Sequence, residues 1–417
     1  MQQVTQEIRE HVLEKLDMQF EVSDEELEQI ILDELTQYGR QNILTMREKE
    51  QLLQRVFNSI RRLDILQELL DDESITEVMV NGTNGIFFEK NGEIREWERH
   101  FTSREKLMDV VQQIAGASNR IVNESNPILD TRLSDGSRVN IVMEPASVDG
   151  AILSIRKFPK HPMTMEQLIQ WGAIPAELVE FLSLLVKSGY NIFVSGGTGS
   201  GKTTFLNALS NYIPKQERVI VIEDSTELQI HGIPNLVRLE TRQSRTEGVT
   251  PIDMRDLVKT SLRMRPDRII VGEIRSGECL DLLQASNTGH RGTMSTGHSN
   301  SAADMLKRLE TMVLMGMELP LSAIRGQIAS GIDILVHLGR LRDRSRKVLE
   351  IVELDGMDGD RICLNPLYQF RETGEVSGKV QGEWVKQNDM KHPEKLWECG
   401  YHLSGEEEKA VYAKRSV

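Results

Sequence analysis

"NIFVSGGTGSGKTTFLNAL", residues 191–209, starts as an apolar run, passes through four glycines in six positions and ends in an amphipathic stretch. Gly196, Gly201, Lys202 and Thr203 stand at the Gly-x-x-x-x-Gly-Lys-Ser/Thr spacing, between a predicted strand and a predicted helix. That context predicts a loop that cradles phosphates. Glycines let the backbone amides of Gly196, Gly197, Thr198, Gly199, Ser200 and Gly201 close on oxygens without a Cβ in the way. Lys202 brings a point charge to the β- and γ-phosphates, and Thr203, with Thr204 beside it, offers a hydroxyl to Mg²⁺. The helix that follows turns its N-terminus toward the anion. ATP and Mg²⁺ are the expected ligands.

Three later segments supply chemistry around such a loop. In "VIVIEDSTEL" four apolar residues deliver Glu223 and Asp224 to a strand end, the end at which open α/β sheets bind ligands. "DRIIVGEIRSGE" resembles a Walker B strand, but Gly272 stands where many such enzymes carry the metal-binding aspartate, and only Glu273 closes the run. A second carboxylate must come from elsewhere, and Glu223 is the obvious supplier. Either glutamate can serve as general base or on the metal side. "GTMSTGHSNS" presents His298 between small residues, as a reader of the γ-phosphate or as an ordinary structural histidine. Near-continuous apolar runs in the first two and in "NIFVSG" suit a parallel sheet buried on both faces.

Outward from this block, residues 1–60 predict an acidic helical extension, either a solvated face or a small docking bundle. Ser23 and Glu26 are spaced as a capping box. Residues 61–158 predict a small α+β domain, with hairpin turns at Asn81-Gly82, Asn91-Gly92 and Asp135-Gly136 and one helix from about Ser103. Two prolines mark 159–168 as a linker, 169–345 as the nucleotide-binding domain and 346–417 as a strand- and turn-rich extension. Arg132, Arg138 and Arg156 fall on strands of the small domain, placed to close onto phosphates as arginine fingers do. Arg238, Arg242, Arg245, Arg255, Arg263, Arg265 and Arg268 precede the Walker B-like strand.

The chain of 417 residues carries a formal charge of −14, which argues against broad nucleic-acid binding. Three cysteines without a Cys-x-x-Cys pair exclude a disulfide framework or zinc ribbon as the organising device. No apolar run reaches the roughly 18 residues of a membrane span. The expectation is a cytoplasmic protein that meets a membrane only through a partner.

The four boxes in order resemble the type II/IV secretion ATPase superfamily over roughly residues 60 to 360. The wording is closest to its CpaF/TadA branch, associated with Flp-type (tight adherence) pili; "RLSDGSRVNIV", "SIRKF" and "NTGHRGTMSTGHSNS" carry that finer likeness. The resemblance implies a RecA-like ATPase domain preceded by a PAS-like domain, a homo-hexameric ring, and an inner-membrane platform protein as partner. By position it assigns Arg138 and Arg156 to the phosphates and Lys202, Glu223, Glu273 and His298 to catalysis. Thr203, Glu223 and Glu273 fall to the metal, and Arg242 and Arg255 lie where interface arginines stand. A type IV secretion ATPase exporting protein or DNA, and a RecA-like DNA motor, are the rival readings.

Overall fold

The structure is a computed structural model that describes residues 2–16, 22–40, 42–90, 92–158, 163–242, 250–403 and 413–414. Arg245, Asn91 and the first four linker residues fall outside these. The chain divides into two compact units, Met1–His161 and Pro162–Val417.

In the first unit α1 (Gln2–Lys15), α2 (Asp24–Gly39) and α3 (Met46–Arg61) pack around Ile8, Val12, Leu27, Ile31, Leu35, Leu52, Val56 and Phe57. Ser23 accepts from the Glu26 amide and the Glu26 carboxylate returns to the Ser23 amide, as the spacing predicts. Thr45 and Glu48 repeat the device on α3. Next come α4 (Leu66–Asp71), β1 (Ile75–Asn81), β2 (Gly85–Lys90), β3 (Glu93–Glu96), α5 (Arg104–Ala117), β4 (Ile128–Arg132), β5 (Arg138–Val142) and β6 (Ile152–Arg156). The strands form an antiparallel sheet ordered β3-β2-β1-β6-β5-β4. Inward residues such as Val139, Ile141, Leu153 and Ile155 form the core with α5, while their neighbours along β5 and β6 stay open to solvent.

The second unit contains α6 (Met165–Gln170), α7 (Ala176–Lys187), β7 (Ile192–Gly196), α8 (Lys202–Ser210), β8 (Val219–Glu223), β9 (Leu236–Glu240), α9 (Met254–Ser261), β10 (Arg268–Val271), α10 (Glu278–Asn287) and β11 (Met294–His298). It continues with α11 (Ala302–Gly316), α12 (Leu321–Gly331), β12 (Ile334–Arg340), β13 (Arg346–Asp358), β14 (Arg361–Val376), β15 (Lys379–Lys386) and α13 (Glu394–Glu398). One sheet runs β15-β14-β13-β12-β7-β11-β10-β8-β9. From β12 to β9 neighbours are parallel, and β13–β15 add an antiparallel meander. Along β7, Ile192 and Val194 face the core of α7 and α8 while Phe193 faces that of α9–α12. Two-sided burial is why β7, β8 and β10 are written in unbroken apolar residues.

Two expected boundaries move. Residues 163–168 are not linker: Thr164 and Gln167 form a capping box that starts α6, and Met165 and Leu168 are buried in the large core. Nor does a domain end at 345. β13 pairs with β12 from Arg346 to Glu353, and Val348, Ile351 and Leu367 join the core on β7, so β13–β15 of the extension are three of the nine strands of the same sheet.

Candidate active site

The C-terminal ends of β7, β11, β10 and β8 lie side by side, which brings the four sequence boxes to one edge. Residue by residue across the sheet, His298 is registered with Gly196 and Val271 with Ile222.

Gly196 leaves β7 with its backbone against β12; a Cβ there would come 2.5 Å from the Leu338 carbonyl oxygen. Gly201, at φ +92, caps α8 from the left-handed region, so Lys202 becomes its first residue. Gly197, Thr198, Gly199 and Thr204 are exposed, Thr203 is half-buried, and Ser200 is buried with its hydroxyl on the Gly197 carbonyl at 2.9 Å.

Lys202 Nζ donates to the Gly197 carbonyl at 3.1 Å and lies 3.2 Å from His298 Nδ1. Burial pulls this lysine below its ordinary range, against the opposing charge of Glu273. As Lys202 can only donate, Nδ1 is the acceptor and the neutral ring carries its proton on Nε2. Burial first and the Lys202 charge second hold His298 below the usual imidazole value, which keeps it neutral. Its Nε2 stands 3.0 Å from Glu273 Oε1, in ion-pair range but out of line for a hydrogen bond, so that buried oxygen has no hydrogen-bond donor among the described residues. Arg275 takes the other oxygen, Oε2, at 2.9 Å and reaches Asp224 at 3.4 Å. Burial raises the Asp224 carboxyl, while the bond to Glu273 raises Arg275.

Glu223 is buried and accepts the Glu227 and Leu228 amides on Oε1, at 2.9 and 3.0 Å. Its side chain crosses Gly272, where an added Cβ would meet Glu223 Cγ at 2.9 Å. The missing Walker B aspartate thus has a steric reason, since the glutamate of the neighbouring strand fills its place.

The arginines separate into three groups. Arg132, Arg138 and Arg156 stand opposite one another across β4, β5 and β6, with Glu77 next in the row and 3.9 Å from Arg156 Nε. Directly opposed like charges cost stability in a sheet. Arg255 ties α9 to the buried Asp281 of α10 at 2.7 Å, and Arg242 donates to the Thr250 carbonyl at 2.9 Å. Arg268 is fully buried and structural. Sequence reasoning missed Arg275, two residues past Glu273, and Arg346, whose Nε donates to the Gly199 carbonyl at 2.8 Å from β13. The proximity of Arg275 to the Walker B-like run was its signal; Arg346 had none.

The glycine loop and the carboxylates beside it stand at one edge of a mixed α/β domain. The chain belongs to the type II/IV secretion system protein family, whose pattern matches residues 61–375. It is 35% identical over 327 residues to the type IV secretion system protein PtlH of Bordetella pertussis, covering 71% of this chain and 95% of that one. It is 30% identical over 317 residues to the conjugal transfer protein TrbB of Rhizobium radiobacter, covering 75% and 94%. The crystal structure of the pilus retraction motor PilT with bound ADP has the same fold at a TM-score of 0.52 and 18% identity, over 81% of this chain and 85% of that one. Among the described residues no helix is long and apolar enough to cross a membrane.

Proposed function

We propose that this chain is the subunit of a homo-hexameric motor that hydrolyses ATP at the loop 196–204. The observation that carries the reading is the cluster at the sheet edge: Lys202 bonded to the Gly197 carbonyl and to His298, Glu273 Oε1 3.0 Å from His298 Nε2, and Arg275 joining Glu273 to Asp224. The buried Glu273 Oε1, with no hydrogen-bond donor of its own among the described residues, fits a bound water, and the glycine cradle fits phosphate. Thr203 would hold Mg²⁺ with Glu273 and Glu223 acting through water, and the ion would supply positive charge against the phosphate oxygens.

Glu273 takes the proton of the attacking water. The new bond forms at the γ-phosphorus, the bond from that phosphorus to the bridging oxygen breaks, and ADP and inorganic phosphate leave. His298, anchored between Lys202 and Glu273, reports whether the γ-phosphate is present. Arg138 and Arg156, on a PAS-like domain, reach the phosphates when the two units close.

The motor works in the cytoplasm, peripheral to the inner face of the cell membrane, and drives a membrane-embedded platform protein. The wording of the motifs favours assembly or retraction of a Tad/Flp pilus. A second reading, energising a type IV secretion or conjugation channel, is favoured by the likeness to PtlH and TrbB.

Phosphate-release assays test the chemistry. Lys202→Ala should lower turnover by about 10²–10³ with an unchanged melting curve. Glu273→Gln should lower it by about 10²–10⁴ while ATP still binds. Wild-type turnover in the lysine variant would sink the site. Cross-linked capture with Glu273→Gln from native membranes then separates the cargo readings, pilins against channel components.

A further inference from the structure

The phosphate loop is supported from outside by two strands that follow it in the chain. β12 supports its first residue, where the Leu338 carbonyl leaves no room for a Cβ on Gly196. β13 supports its far side. Arg346 Nε donates to the Gly199 carbonyl at 2.8 Å, and the arginine Cδ lies 3.4 Å from where a Cβ on Gly201 would sit.

Gly199 and Gly201, at φ +71 and +92, lie in the left-handed region. Glycines there let the intervening peptide planes turn over at little cost. A trans peptide sets its N–H opposite its C=O. Holding the Gly199 carbonyl toward β13 therefore holds the Ser200 amide on the other side, where it meets the Gly197 carbonyl at 3.3 Å, the acceptor that Lys202 Nζ also reaches.

We infer that Arg346 is a positioning residue of the phosphate loop: by clamping the 199–200 peptide it keeps the Ser200 amide turned inward, toward a bound phosphate. The ligand in this statement rests on the ATPase reading; the clamp belongs to the loop itself.

The side-chain atoms allow a clean test. Arg346→Gln places an amide nitrogen where Nε stands and removes the charge. Arg346→Lys keeps the charge and places a methylene there. Arg346→Ala removes both. Arg346 is exposed, a setting in which a substitution costs little stability. Two quantities are measured on the full chain: amide hydrogen exchange of a peptide spanning the loop in nucleotide-free protein, and KM and kcat for ATP. One hydrogen bond corresponds to about a two- to tenfold change. Ala and Lys should speed exchange by that factor and raise KM by a similar one at nearly constant kcat, and Gln should restore both. Unchanged exchange in Ala overturns the inference. So does a normal Lys variant beside an impaired Gln variant, which would make the charge the active feature. If exchange responds as stated but the wild type binds no ATP, the clamp stands and the ATPase reading falls.

Discussion

Arg268 begins β10 and Arg156 ends β6; the first residue is 1% exposed, while the side chain of the second is 65% exposed. Arg268 grips Glu217 with two bonds, at 2.7 and 3.0 Å, and donates to the Val186 and Gly292 carbonyls. Gly292, at φ +75, must be glycine, because a Cβ would come 2.6 Å from the guanidinium. Arg156 instead shares a row with Arg138 and Arg132 on β6, β5 and β4. The difference follows from burial. A sheet covered on both faces admits a charge only where it is paired and hydrogen-bonded. A sheet with one open face can carry like-charge neighbours, because water on that face screens them.

The largest effect that would sharpen this contrast is on stability. Arg268→Ala strands the Glu217 carboxylate and removes a donor from the Gly292 carbonyl and from the Val186 carbonyl, which keeps the Gly189 amide at 3.1 Å, and should cost about 3–5 kcal/mol by denaturant unfolding. Arg138→Ala and Arg156→Ala should shift stability by no more than about 0.5 kcal/mol and lower ATP turnover by at least about tenfold. Loss of stability without loss of turnover would turn the open-face arginines into structural ones and end the contrast.

The smallest effect concerns His298. Its folded-state pKa is depressed below the ordinary 6.5 by burial, by Lys202 and by Arg275 and Arg308, against Glu273. Below pH 6.5 the unfolded chain takes up the proton first, so stability is lost as the pH falls from 6.5 toward the depressed folded value. His298→Asn should flatten part of that slope in the melting temperature. His337, buried beside Ser195 at 2.9 Å and also depressed by burial, should keep the remainder.

Much of this is legible for the same reason. β7, β8 and β10 announce themselves because both faces are covered, and the loop announces itself because phosphate demands glycine and lysine at fixed spacing. Glu223 is legible as the partner of Gly272 because its strand ends in acid. β11 does not read as a strand. Its "MSTGH" is small and polar because Gly297 lies under Phe193 and Met305, whose atoms come within 3.0 Å of where a Cβ would sit. The Thr164 capping box is hidden by the prolines around it. β14 and β15 carry mostly half-buried and exposed residues, and a strand exposed in that way resembles turn-rich polar sequence. Arg346 is illegible because its role depends on a hairpin whose position only the fold reveals.

The central place of β7 has a consequence for biosynthesis. Its residues, Ile192–Gly196, pair with Met294–His298 on one side and Ile334–Leu338 on the other. Neither neighbour exists until about a hundred more residues have been made, and the second arrives roughly forty later still. Parallel pairings across such spans form slowly, because a long stretch of chain must be closed before its contacts compensate for the closure. The nucleotide loop is therefore translated early and assembled late. A nascent chain halted before β12 has synthesised every glycine of the cradle and still lacks one wall of it, so nucleotide capture on the ribosome would mark the completion of the sheet rather than its beginning.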